Sequence, residues 1–362
     1  MGRRFRHAVA ANIPVLGPFA SRSTSVATNT SSRSGVDDQR RLIATGRLGD
    51  PASIALLETA ERAKRYARNS RATATRRAYA SDWRDFEAYC TRNTLGALPA
   101  NPQTVALYLA DLAGKRKVST VRRRVVSIAQ QHTLRGHAAP TVDPIVREIL
   151  QGIERTHGVA AHKKTALTVD LLKDVLHRLD DTLRGRRDRA LLLLTFAGGF
   201  RRSEVAALDV ADVRFERRGA IVTLRRSKTD QVGAGREVAI PQLRTEALCP
   251  VFALRAWIDI AAIVDGPLFR TFTMSGELQS NRIDGRDVAR LVQRLADRSR
   301  LEGDFAAHSL RAGFVTSGAE RGIAESSLQN VTGHRSATIL RGYVRRATLF
   351  DDAPLPRIMG DT

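Results

Sequence analysis

The sequence predicts a mainly α-helical protein with a small antiparallel β-sheet, organised as two domains. Three observations predict it. The chain has 362 residues, more than a single hydrophobic core usually organises. Apolar residues recur at helical spacing through most of its length. Only GAIVTLRRSK and REVAIP, with QVGAG between them, have strand-like alternation or β-branching around a turn, which is a hairpin signal.

The elements follow in order. Residues 1–47 hold Arg, Ser and Thr with no acid before Asp37. They read as a disordered basic segment, although a transit peptide or an over-extended start has the same composition. DPASIALLETAERAKRYA offers Asp50 as a cap and Pro51 in the first turn, then Leu56, Ala60, Ala63 and Ala67 on one helical face. The next stretch carries Tyr79, Trp83, Phe86 and Tyr89 as a core stripe. NPQTVALYLADLA begins with an Asn101 cap and Pro102. STVRRRVVSIAQQH sets Val121, Val125, Ile128 and His132 on one side. The opposite sides hold Arg76, Arg77, Arg84, Lys115, Arg116, Lys117, Arg122 and Arg123. So one-sided an excess of cations favours phosphate contact over simple solvation. A helical domain over 48–155, a polar linker over 156–166, a second domain over 167–348 and a tail over 349–362 complete the reading. The second domain has helical patterns at TVDLLKDVLHRL, RDRALLLLTFAGGF, CPVFALRAWIDIAAI, GRDVARLVQRLAD, SLRAGFVTSGAE, AESSLQNVTG and ATILRGYVRRA.

Charge narrows the partner. The formal net charge is +22 and the isoelectric point about 11.2. Small anions rarely need that excess, whereas a polyanion gains affinity from each phosphate neutralised and counterion released. Nucleic acid therefore leads, and a small-molecule substrate is not expected. Cys90 and Cys249 form no metal spacing and read as core residues of a reduced, intracellular protein. The run ALLLLTFAGGF is too short to span a bilayer. No carboxylates fall at metal-site spacing; Asp180, Asp181 and Glu204 do not make one.

Four short stretches carry chemistry. In GGFRRSEV, Arg201 and Glu204 are three apart and share a helical face. In the hairpin stretch LRRSKTD, Lys228 is the only lysine after Lys173 in an arginine-rich chain. Arginine serves wherever charge suffices, so a lone lysine hints at a role that needs a proton donor. In AAHSLRAGF, His308 and Arg311 are at i and i+3. In VTGHRSATILRGYVRR, Gly333 ends a helix, His334 follows, and Tyr343 comes nine residues later on the next helix. Singly, each has an ordinary structural reading: a surface ion pair, a packed histidine, a core tyrosine.

Together and in this order, they resemble the tyrosine recombinase family, which includes the phage-type integrases. The resemblance covers about 165–347, and the basic helical domain before it is similar in kind to the family's core-binding domain. It implies a catalytic domain of that family, with Arg201, Glu204, Lys228, His308, Arg311, His334 and the nucleophile Tyr343 as its site. Ala312 stands where a histidine is frequent, at a non-catalytic position. In that reading, Arg201 and Arg311 fork onto phosphate oxygens and His334 donates a further hydrogen bond. Lys228 is the acid for the 5′ oxygen, and His308 accepts or shares the tyrosine proton. A tyrosine hydroxyl has a pKa of about 10 and needs such activation. The implied product is a 3′-phosphotyrosyl bond, which conserves the phosphoester energy and requires neither ATP, metal nor cofactor. The implied partners are double-stranded DNA and three further copies of the chain in a tetramer on two duplexes, in the cytoplasm at the nucleoid. The apolar tail residues Leu349, Phe350, Leu355, Ile358 and Met359 suit docking in trans or folding back in cis equally. Heavy Arg and Ala use suggests a GC-rich bacterial genome or a mobile element. Two rivals share part of the pattern: a type IB topoisomerase, and a DNA-binding regulator without catalysis.

Overall fold

The computed structural model describes residues 51–69, 72–160, 164–225, 235–334, 336–347 and 353–359. The arm expected over 1–47, the Asp50 cap, Lys228, Leu349 and Phe350 lie outside the described residues. The chain divides into two compact units at the bond between Val159 and Ala160.

The first unit is all helical: α1 Pro51–Asn69, α2 Thr73–Arg92, α3 Pro102–Leu112, α4 Val118–Leu134 and α5 Pro144–His157. The side chain of Asn101 accepts the Gln103 N–H at 3.0 Å, and Pro102 occupies the first turn of α3, where no N–H is required. The aromatic stripe of α2 is core: Trp83 and Phe86 are buried with Tyr108, Val121 and Ile128, and Tyr79 and Tyr89 are half-buried. Cys90 is buried there too, and Cys249 is buried in the second unit. Buried Arg124 meets Asp85 and Tyr108, so the core charge is paired. His132 accepts the Ala100 N–H on Nε2 at 2.9 Å and donates from Nδ1 to the Ile128 carbonyl at 2.8 Å. Both nitrogens of that buried ring are spoken for, and burial lowers its pKa.

The stretch read as helical forms α1, but its shared face is not core among the described residues: Leu56 and Ala63 are exposed and Ala60 is half-buried. Alanine methyls bury little area, so their period alone does not force a helix face inward. α5 runs on through His157, beyond the expected domain end at 155. The far end of the expected linker is held by the second unit: the Thr165 N–H donates to the Asp304 carbonyl and the Leu167 N–H to that of Ser309.

The second unit contains α6 Val169–His177, α7 Leu183–Ala197, α8 Arg202–Ala207, β1 Val213–Glu216, β2 Gly219–Leu224, β3 Arg236–Pro241 and α9 Pro250–Ile260. Then come β4 Arg270–Phe272, β5 Leu278–Arg282, α10 Gly285–Arg298, α11 Ala307–Glu320, α12 Glu325–Thr332, α13 Ala337–Ala347 and α14 Leu355–Met359. α7 is buried on nearly all sides, as its LLLL run demands. Its leucines pack with Leu254 and Trp257 of α9, Leu291 and Val292 of α10, and Leu310 of α11. The expected hairpin pairs β2 with β3 antiparallel, Val222 opposite Val238. Two features exceed the expectation of one hairpin. β1 adds a third strand on β2, and β4 and β5 form a separate two-stranded sheet. These strands have three to five residues and no buried side chain, so they leave too weak a period to read.

Candidate active site

The site grows from three helix ends in the second unit. Gly199 follows α7 in the left-handed region at φ 53°, where a side chain is disfavoured. This turn frees its carbonyl, which accepts from Arg311 Nη1 at 2.6 Å. Arg201 caps α8. The Glu204 carboxylate accepts the Arg201 backbone N–H at 2.8 Å and its Nη1 at 2.6 Å. Glu204 is buried, so the pairing both closes the first turn of α8 and aims the guanidinium.

On α11, His308 and Arg311 lie one turn apart, with His308 exposed and Arg311 only 2% exposed. Arg311 Nη1 also donates to the Thr332 carbonyl at 2.7 Å. Its Nη2 is buried and has no partner among the described residues. A buried guanidinium that keeps one nitrogen unused is a donor held ready for an anion. Burial and the neighbouring Arg201 pull the Arg311 pKa down to about 10, which leaves it charged at neutral pH.

α12 ends at Gly333 in the left-handed conformation, φ 64°. The sharp turn presents His334, whose Nδ1 lies 2.7 Å from the Thr332 hydroxyl. Burial and Arg311 lower the His334 pKa to about 3, so the ring is neutral. Arg236, the first residue of β3, donates from Nη1 to the Val331 carbonyl at 2.7 Å and from Nη2 to that of Thr332 at 3.3 Å. Two arginines thus satisfy the last carbonyls of α12 and offset the negative end of its dipole.

α13 brings the tyrosine. Leu340 packs with Val315 and Leu328, and Tyr343 and Val344 rest against this small cluster. The Tyr343 hydroxyl comes within 2.6 Å of His308 Nε2. Burial raises the phenol pKa, and Arg311 opposes that rise. The site gathers arginines and imidazoles around Arg311 and His334, and the Tyr343 hydroxyl meets one imidazole and feels the buried Arg311 guanidinium. No group of His, Cys, Asp or Glu among the described residues is placed to hold a metal ion.

The phage integrase family profile matches residues 165–349. The chain is 35% identical over 330 residues to an integrase/recombinase XerD homologue of Selenomonas ruminantium, covering 89% of this chain and 95% of the relative. The chain belongs to the phage integrase family. It is therefore a tyrosine recombinase. A tyrosine recombinase XerC of Myxococcus xanthus is 26% identical over 285 residues, 75% of this chain and 86% of the relative. The fold matches a Tn1549 transposon integrase in complex with transposon right-end DNA, with TM-score 0.54, 17% identity, and 83% and 98% of the two chains covered. It also matches a lambda integrase dimer bound to a core site, with TM-score 0.53, 16% identity and 85% of each chain covered.

Of the residues anticipated for this recombinase, Arg201, Glu204, His308, Arg311, His334 and Tyr343 lie together in the second unit. Lys228 lies outside the described residues. The basic set of the first unit is exposed throughout, yet part of it is engaged within the protein. Lys115 pairs with Asp111 at 2.5 Å, Arg122 with Glu154 at 2.6 Å and Arg123 with Asp82 at 2.7 Å. Arg76, Arg77, Arg84 and Lys117 have no carboxylate partner among the described residues. Sequence reasoning missed Arg236 and Thr332. Arg236 reads as an alternating strand residue, and only the folded hairpin sets it under α12. Thr332 adjoined the motif, but its hydroxyl acquires meaning only through the turn at Gly333.

Proposed function

We propose that this recombinase cuts and rejoins DNA at a specific site through Tyr343. The phenol oxygen attacks the scissile phosphorus, and the bond from phosphorus to the 5′ oxygen breaks. The phenol proton passes to His308, and the leaving 5′ oxygen takes a proton from Lys228. Arg201, Arg311 and His334 hold the non-bridging oxygens as charge builds on them. The product is a 3′-phosphotyrosyl bond. Attack by a 5′ hydroxyl of another strand reverses the step and exchanges strands. Guanidinium groups and imidazole supply the stabilisation that other enzymes draw from a metal, and the retained bond energy removes any need for ATP. The observation that carries this reading is the 2.6 Å contact of the Tyr343 hydroxyl with His308, two residues 35 positions apart in sequence and on separate helices.

Double-stranded DNA is the partner, with Arg76, Arg77, Arg84, Lys115, Lys117, Arg122 and Arg123 of the first unit on its phosphates. The DNA-bound state of the structural relatives supports this choice. The working form is a homotetramer on two duplexes, in the cytoplasm at the nucleoid. No helix among the described residues is long and apolar enough to cross a membrane. α14 supports docking of the tail in trans on a second copy: Leu355, Ile358 and Met359 are 63%, 73% and 73% exposed. The test of the chemistry is Tyr343→Phe on a nicked suicide substrate taken from DNA flanking the gene. Wild type should trap a covalent protein–DNA complex and the variant none. A complex formed by the variant would remove Tyr343 from the nucleophile's role.

A further inference from the structure

We infer that Thr332 is a positioning residue of the reaction, its hydroxyl setting which imidazole nitrogen of His334 carries the proton. The inference rests on the phosphotyrosyl reading, in which His334 donates a hydrogen bond to the scissile phosphate.

The geometry lets one proton go either to the main chain of α12, where the Gln329 carbonyl is a longer second acceptor at 3.4 Å, or to the imidazole. The Thr332 Oγ1 lies 2.7 Å from the Leu328 carbonyl and 2.7 Å from His334 Nδ1. If the hydroxyl donates to Leu328, its oxygen must accept from an Nδ1–H. A neutral imidazole has one N–H, so Nε2 then bears a lone pair. That lone pair would face, and repel, a phosphate oxygen. If the hydroxyl turns to Nδ1, the proton sits on Nε2 and the ring becomes the required donor. The low His334 pKa matters because it closes the third option, a doubly protonated ring that needs no choice. The Leu328 carbonyl loses little by the exchange, since it also lies in the main-chain ladder of α12.

Thr332 is held so that this choice is confined to it. Its carbonyl takes Arg311 and Arg236 at 2.7 and 3.3 Å. Its methyl fills the space where a Cβ on Gly199 would come within 2.7 Å. It is fully buried, and His334 is 8% exposed, so no bulk water competes for Nδ1. The hydroxyl can rotate but cannot leave. An indole at the histidine position would have a fixed N–H and no tautomer to set, and this separates a proton-placing role from simple packing.

The experiment measures single-turnover covalent complex formation by the full chain on the suicide substrate. Thr332→Val keeps shape and removes the hydroxyl; it should slow cleavage about tenfold, less than the ~10²-fold expected for losing a donor outright. Thr332→Ser should restore most of the rate. In a His334→Trp background, Thr332→Val should cost less than about twofold, because no tautomer remains to be set. Long-range ¹⁵N–¹H spectra of Tyr343→Phe protein bound to site DNA supply a readout independent of rate. They should show His334 protonated at Nε2, and a mixture of tautomers once Thr332→Val is added. Wild-type cleavage by Thr332→Val, equal slowing in both backgrounds, or an unaltered His334 spectrum would each overturn the inference. Those results leave the nucleophile untouched, whereas a covalent complex from Tyr343→Phe would sink the reading beneath it.

Discussion

Glu204 illustrates how little freedom a residue of this site has. Its buried carboxylate accepts from both the backbone and the guanidinium of Arg201. Glu204→Gln keeps the outline but turns one acceptor into a donor facing donors. It should lower stability by about 1–3 kcal/mol, read as a shifted denaturant midpoint, and slow cleavage as Arg201 loses its aim. His334 allows a pH test. Its folded pKa of about 3 lies below the unfolded value near 6.5. The folded state resists the proton that the unfolded chain takes up. Stability from this group is therefore complete above pH ~6.5, falls as pH drops through the window, and is gone below the folded value. Denaturation of wild type and His334→Gln between pH 7.5 and 5 should differ in slope by up to one proton, about 1.4 kcal/mol per pH unit. Equal slopes would contradict the buried neutral ring. His132 is present in both proteins and cancels in the comparison.

At the scale of elements, the C-terminal end of α12 matters most. Gly333 adopts φ 64°, and a Cβ there would approach Arg236 Cζ at 3.0 Å. Gly333→Ala should cost about 1 kcal/mol or more from the left-handed backbone alone. Cleavage should fall further than stability accounts for, since His334 rides on that turn; a thermal melt alongside single-turnover cleavage separates the two effects. The helix itself was legible, because QNVTG has the glycine stop at its expected place. The strands β4 and β5 were not, because three to five residues with no buried side chain carry no usable period. α1 forms where its period placed a helix, yet Leu56 stands 56% exposed, since periodicity says which face could be buried and not what covers it.

For the whole molecule, the net charge of +22 should make DNA binding steeply dependent on salt. Replacing Arg77 and Lys117 together by alanine should weaken binding for all sequences and reduce the slope of log affinity against log salt by about two. A slope unchanged by both substitutions would remove them from the phosphate-contacting surface. Lys115, Arg122 and Arg123 already meet carboxylates, so each should contribute less than Arg77 or Lys117. The exposed side chains of α14 predict a separable defect. If the tail docks in trans as proposed, Leu355→Asp with Ile358→Asp should leave single-site binding intact while abolishing the proposed tetramer and strand exchange, read by gel shift and light scattering.

The sequence by itself determined the fold class and singled out the residues that the second unit gathers. Helical periods, caps and stops are local, and the order of Arg201, His308, Arg311, His334 and Tyr343 is a linear pattern that survives without coordinates. Only the tertiary structure decided how those residues meet. The Tyr343 hydroxyl reaches His308 because a small cluster of Val315, Leu328 and Leu340 seats α13. Arg311 keeps Nη2 unused because its Nη1 spans two carbonyls from separate turns. Arg236 and Thr332 joined the site only when β3 and α12 were brought together. Hydrogen-bond direction and burial depend on neighbours distant in sequence, and those arise only when the chain packs.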